Sequence, residues 1–319
     1  MRSEMPETRR ILTNPVIGYL SVIAAAVLWA SSGTVSKALF LGGVTPFQLV
    51  QIRLTIAAFS LGLFLRLFTK QRLRIRTQDI AYFLVLGGVG LALVQAAYLY
   101  TISKMQVAAA ILIQYTSPVF VTAYSIGFWH ERLTAIKVIA LLLSLFGCYL
   151  VVGGYNLELL NVNRDGALAG LASAVLFALY SLLGERVMHR YQPWTVVLYA
   201  LVFAALTWNI LQPPLHFVYF AYTAEQWIYM LYIAIFGTII PFGLFFVGVN
   251  YIRSTRATIT STVEPISAGF IAFILLGETL DPLQIIGGVF VIAAIVLLQV
   301  QSEKDELSPA RIRAGRDEG

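Results

Sequence analysis

Apolar residues run along this chain in stretches of about 20, the length an α-helix needs to cross a hydrocarbon layer of about 30 Å. Charged residues fall between these stretches. Ten of them are legible, at 16–40, 46–68, 79–102, 106–129, 133–153, 166–188, 193–211, 226–249, 254–277 and 281–301. None shows the two-residue alternation over about ten residues that marks a membrane β-strand. The pattern therefore predicts an all-α integral membrane protein with ten transmembrane helices. The first stretch is too long for the apolar region of a cleavable signal. Connections are short apart from 154–165 and 212–226, the latter reading as an amphipathic segment at the outer interface. The tail, 302–319, is charged and poor in apolar residues, which predicts disorder.

The ninth stretch carries the most chemistry. As a single helix it puts Ile259, Val263, Ile266, Phe270 and Phe273 on one face, and Ala257, Thr260, Ser261, Glu264, Ser267 and Ala268 on the other. Counted from Ser254, Glu264 lies about 15 Å into the membrane at 1.5 Å per residue. An acid at that depth is costly and marks a functional site by default. Pro265 removes one backbone donor and is expected to kink the helix, freeing carbonyls that need partners or a cavity.

The same stretch has an echo. Pro118 is followed thirteen residues later by Glu131, as Pro265 is by Glu278, and both pairs are 147 positions apart. Pro46-Phe47 and Pro193-Trp194, before the second and seventh stretches, share that offset. A unit of five helices is odd in number, so its second copy enters the membrane from the opposite side. The prediction is two inverted repeats, 16–153 and 166–301, joined by an external linker at 154–165. Inverted repeats around a midplane site are the architecture of alternating access in many secondary transporters.

Composition and charge sharpen this picture. Of 319 residues, 59% are hydrophobic and 12% charged, about half the charge of a soluble protein of this size. Eighteen Lys and Arg residues lie on one side of the predicted helices and two, Lys104 and Arg164, on the other. By the positive-inside rule both termini, 1–15 and 302–319, are then cytoplasmic. Cys148 is the only cysteine, so a disulfide within the chain is excluded. His130, His189 and His216 fall in separate loops or helix ends, which gives no metal site, and there is no glycine-rich nucleotide loop. No cofactor, no nucleic-acid partner and no enzyme chemistry is indicated.

In the order and spacing of its motifs the chain resembles the EamA family of the drug/metabolite transporter superfamily. The features are Trp29 with Lys37, the run Arg53-Leu54-Thr55-Ile56-Ala57, Tyr98 to Thr101, and the two Pro-to-Glu-x-Leu blocks. The resemblance covers about 16–301 and implies export of amino acids and related metabolites, with an aromatic amino-acid exporter among the members it resembles. One departure is His130 before Glu131, where the family usually has glycine.

Candidate substrate-binding or coupling residues are Glu264, Tyr98, Gln95, Gln114, Ser117, Trp29, Ser261 and Tyr180, with Pro118 and Pro265 as helix breakers. Tyr98 and Gln95 share one face of the third helix, and Gln114 and Ser117 one face of the fourth. Lys37 and Arg53 are placed near the outer ends of the first two helices, as structural or gate charges, leaving no Lys or Arg at the depth of Glu264. The expected function is export of neutral, amino-acid-like molecules across a bacterial inner membrane, by proton antiport or by downhill release. An exchanger of phosphorylated metabolites or nucleotide-sugars is the alternative, disfavoured because such anions want several midplane cations. A membrane-embedded enzyme is disfavoured by the missing catalytic constellation, and a scaffold or receptor would not need an acid at the centre of an inverted repeat.

The topology is testable directly. In a protein lacking Cys148, Arg72→Cys is expected to react with an impermeant thiol reagent only from the cytoplasmic side, and Asn156→Cys only from outside. Labelling of position 72 in intact cells would refute the orientation.

Overall fold

The computed structural model describes residues 15–132, 134–156, 163–276, 281–300 and 308–316. Among them the chain forms helices and turns and no strand. Its spans run Pro15–Leu41, Pro46–Phe68, Thr77–Lys104, Val107–Trp129, Ala135–Val151, Arg164–Val187, Pro193–Leu211, the helix Ala224–Thr260 with its continuation Val263–Leu276, and Pro282–Val300.

Local signals set the starts. Thr45 and Gln48 form a reciprocal capping box before Pro46, and Thr223 and Gln226 do the same before Ala224. Asn163 accepts from the backbone of Asp165 and Gly166 at the head of the sixth span. Each contact satisfies donors that a helix start leaves free.

The packing obeys the repeat. The fifth span lies along the tenth and the second along the seventh, while the first packs on the eighth and ninth, and the sixth on the third and fourth. Exchanging the two five-helix halves returns the same set of pairs, as a two-fold axis in the membrane plane requires. Without a hydrophobic drive between helices in lipid, small residues allow the close approach. Gly147 and Gly287 face each other, and a Cβ on Gly287 would lie 2.6 Å from the Gly147 carbonyl oxygen.

The largest difference from the sequence reading is in the ninth span, expected as one helix over 254–277. The helix Ala224–Thr260 leaves helical geometry at Arg253 (φ 67°, ψ 164°), where the eighth span ends and the ninth begins. The ninth is then interrupted at Ser261–Thr262 before Val263–Leu276. Pro265 therefore sits in the first turn of a new half-helix, where its missing donor costs nothing, and does not kink a continuous one. The fourth span is interrupted likewise, with Tyr115–Thr116 between Val107–Gln114 and Ser117–Trp129, and Pro118 in the first turn of the second piece. The break also dissolves the single apolar face expected there: Ile259 is fully buried while Phe270 faces out. Gly277 to Leu280 of the repeat motif lie outside the described residues.

Two further symmetric features appear. The third span carries a π-helical segment, Val85–Leu91, and the eighth another, Ile235–Ile239. Gly90 and Gly237, 147 positions apart, sit in the two segments. His130 has φ 52°, the left-handed region that glycine adopts freely, which explains why a glycine is usual before this Glu. The tail also departs from expectation. Pro309–Arg316 forms a short helix, and Arg313 donates to the carbonyls of Met188 and Tyr191 and to Asn250 Oδ1. Arg313 thus anchors the described part of the tail, 308–316.

The paired glycines supply a test. Gly287→Ala places a Cβ against the Gly147 backbone and is expected to cost about 1–3 kcal/mol, whereas the Cβ of Gly288→Ala would have its nearest neighbour at 4.0 Å. Thermal denaturation in detergent should show a lower Tm for the first and an unchanged Tm for the second. Equal Tm values would refute the close helix contact.

Candidate functional site

The two interrupted spans meet a single cavity of about 40 Å³ between the halves, room for roughly three waters. Of the candidates read from sequence, Glu264, Tyr98, Gln95, Gln114, Ser117 and Trp29 line it. Tyr180 and Ser261 do not. Tyr180 is buried against Phe246, with ring centroids 4.7 Å apart, and Ser261 Oγ bonds back to the Thr258 carbonyl at 2.8 Å. Tyr124, in the last turns of the fourth span, stacks on Phe128 and does not line the cavity.

The helix breaks explain the placement. Ser117 and Glu264, 147 positions apart, occupy the first turns of the two second half-helices, so the positive ends of both face the cavity. Broken helices with their termini turned toward a midplane site are what inverted-repeat transporters use for substrate and ion binding. Glu264 is 6% exposed, and its Oε2 accepts from Tyr115 Oη at 2.6 Å. Tyr115, in the break of the fourth span, was not singled out in the sequence. Its position two residues before Ser117, the partner of Glu264 in the repeat, is the signal that points to it. Tyr98 lies within electrostatic reach of both Glu264 and Arg53.

Arg53 corrects the sequence reading, which put no cation at the depth of Glu264. It lines the same cavity, 3% exposed, with Nε donating to Thr238 Oγ1 at 2.9 Å and Nη2 to the Gly237 carbonyl at 2.8 Å. Counting helical rise locates a Cα, and a long side chain on a tilted helix reaches several ångströms further. Its partner carbonyl belongs to the π-helical segment of the eighth span, where Thr238 Oγ1 also donates to the Ile233 carbonyl at 2.8 Å. Lys37 stands apart: its Nζ donates to the carbonyls of Ile102 and Met105, at 2.8 and 3.0 Å, closing the end of the third span. The cavity wall is aromatic, with Trp29 edge-on to Phe242 at 5.0 Å and to Phe177 at 6.0 Å.

Toward the end of the bundle that carries the basic loops, a buried chain of alternating charges spans both halves. Lys137 Nζ lies 3.1 Å from Glu131 Oε1, and Glu131 Oε2 lies 3.4 Å from Arg253 Nη2. Arg253 Nε in turn lies 2.9 Å from Glu185 Oε1. Glu185 Oε2 also accepts from the Ser254 backbone at 2.7 Å, satisfying a free donor at the head of the ninth span. Thr255 Oγ1 donates to Glu131 at 3.0 Å. Arg253 holds a left-handed backbone that costs about 1–3 kcal/mol for a residue with a side chain, and this web of contacts fixes it. The sequence reading took Arg253 and Lys137 only as markers of orientation. That Glu185 sits just before Arg186, at the end of an apolar run, was the available clue.

Comparison with known proteins follows the same two-part division. The model of the EamA-like transporter family matches residues 16–153 and again 164–300. An uncharacterized inner membrane transporter of Salmonella typhimurium, YicL, is 28% identical over 292 residues, 90% of this chain and 96% of its own. An uncharacterized transporter of Archaeoglobus fulgidus is 30% identical over 202 residues, 63% of this chain and 70% of its own. The threonine/homoserine exporter RhtA of Salmonella typhimurium is 27% identical over 300 residues, 91% of this chain and 93% of its own. A crystal structure with 21% identity superposes with a TM-score of 0.72 over 89% of this chain and 96% of that one, a likeness of fold.

Proposed function

This chain belongs to the EamA-like transporter family, and we propose that it is a secondary transporter exporting amino acids or related small metabolites across a bacterial inner membrane. The observation that carries the reading is Glu264, a buried carboxylate at the head of a half-helix, on a cavity that both inverted halves line. An acid met by the hydroxyls of Tyr115 and Tyr98, with no cation paired to it among the described residues, is available to a substrate ammonium or to a proton. The names of YicL and RhtA support the membrane and the substrate class.

Alternating access follows from the geometry. A cavity of about 40 Å³ is too small for an amino acid, so this is a contracted state that must open to load or release. The buried charges of Glu131, Lys137, Arg253 and Glu185 close the end that the basic loops assign to the cytoplasm. Both halves contribute to that closure, so rocking one against the other would part it. Phosphorylated substrates fit poorly: Lys37 is spent on backbone carbonyls, and Arg53 alone faces the cavity.

Glu264→Gln is the direct test. In liposomes holding only this protein, net efflux of a carried amino acid should fall at least tenfold at equal protein level, about 1.4 kcal/mol or more. Retention of exchange between equal concentrations, with loss of gradient-driven flux, would identify proton coupling, whereas loss of both would identify substrate binding. Wild-type rates in both assays would reduce the carboxyl to a contact between helices.

A further inference from the structure

Two buried side chains of opposite type line the cavity without meeting each other. Arg53 spends Nε and Nη2 on Thr238 and Gly237, which leaves Nη1 with no protein partner among the described residues. Glu264 accepts from Tyr115, has Tyr98 beside it, and has no cation within ion-pair distance among the described residues. A buried charge that lacks its counter-charge is expensive. Here both kinds occur on one small space, held apart by separate elements of the two halves.

Three more polar atoms on the same cavity lack partners. Among the described residues Gln95 Nε2, Trp29 Nε1 and Ser117 Oγ are buried and find no hydrogen-bond partner. Gln95 and Ser117 are 3% and 1% exposed, so bulk water cannot satisfy them. Unmade hydrogen bonds at buried groups are rare enough to need an explanation. Two of the three atoms are obligate N–H donors. Together with the free edge of Arg53 they give the cavity lining donor-rich, positive groups, and Glu264 gives it an acceptor-rich carboxylate.

That division is complementary to a solute carrying both charges. Resting on the transport function above, we propose that the cavity selects zwitterions. The substrate carboxylate is received by Arg53 Nη1 with the N–H groups of Gln95 and Trp29, and its ammonium by Glu264. The repeat gives the arrangement a rationale. The half-helix of the second half carries its own carboxylate in its first turn, and its counterpart in the first half carries only the Ser117 hydroxyl. The substrate carboxylate supplies the negative charge that the first half lacks. Amines and acids, each bearing one of the two groups, leave one charged residue of the cavity uncompensated.

Counterflow in proteoliposomes decides the matter with labelled L-phenylalanine and L-threonine as carried solutes. Phenethylamine and 3-phenylpropanoate compete against the first, and 1-aminopropan-2-ol and 3-hydroxybutanoate against the second. In the wild type both single-charge analogues of a carried amino acid should compete at least tenfold more weakly than the unlabelled amino acid itself. Gln95→Leu should weaken the amino acid about tenfold and leave the amine unchanged, and Glu264→Gln should weaken the amino acid and leave the acid unchanged. The wild-type comparison needs no variant, so a misfolded protein cannot rescue the idea. An amine or an acid that competes as well as its amino acid overturns the zwitterion assignment while leaving transport intact. Counterflow of no amino acid, with each of the twenty standard ones tried as label, overturns the zwitterion assignment together with the amino-acid reading it rests on.

Discussion

No water reaches the hydrocarbon core to receive a freed peptide group, so a backbone can leave the helix inside a membrane only where protein atoms or a cavity take its donors and acceptors. This chain leaves the helix at Tyr115–Thr116 and at Ser261–Thr262, and widens to π geometry in the third and eighth spans. Three of these departures have a visible receiver. Thr116 Oγ1 and Thr262 Oγ1 bond back to the carbonyls of Ile113 and Ile259, Arg53 takes the Gly237 carbonyl inside the second π segment, and Thr238 takes the Ile233 carbonyl just before it. The breaks in turn bring half-helix starts, Ser117 and Glu264, to one cavity. The two interruptions place both half-helix starts on the site.

The same constraint gives the buried charges their roles. Lys37, Arg53 and Glu185 each serve a backbone group at a helix end or irregularity: the last turn of the third span, the π segment of the eighth, and the first donor of the ninth. A buried ion pair adds little stability over a well-packed apolar one, and its best-attested use is to specify one arrangement or switch between two. The chain Lys137–Glu131–Arg253–Glu185 fits that use. It draws on the loop after the fourth span, the head of the fifth, the sixth span and the turn between the eighth and ninth, so it registers the position of one half against the other.

Much of this was legible in the residues. Run length showed the helices, and the 147-residue offset of Pro118 and Pro265 showed the halves, because a proline and an acid at fixed separation survive as landmarks when apolar positions drift. Six of the eight proposed cavity residues line one space, since helical periodicity places Gln95 with Tyr98 and Gln114 with Ser117 correctly. What periodicity hides is any departure from it. A uniform 3.6-residue count carried the ninth helix straight through Ser261–Thr262 and so misplaced Ser261, whose hydroxyl turns back on the helix. Arg53 was misplaced for a different reason: depth was assigned to its Cα, and its guanidinium follows the carbonyl of Gly237. Tyr180 shows the limit of polarity as a guide, a phenol buried in an aromatic stack with its oxygen unpartnered.

The central claim is that one cavity is reached from alternate sides, with the Glu185–Arg253–Glu131 web closing the cytoplasmic one. Ser36, which lines the cavity at 1% exposure, is the reporter. With Cys148 replaced by serine, Ser36→Cys is labelled by an impermeant thiol reagent applied to inside-out vesicles, with and without Glu185→Gln. Removing one carboxylate from the web should raise the cytoplasmic labelling rate by about tenfold, a shift of about 1.4 kcal/mol toward the open state. An unchanged rate in the Glu185→Gln protein would contradict the account.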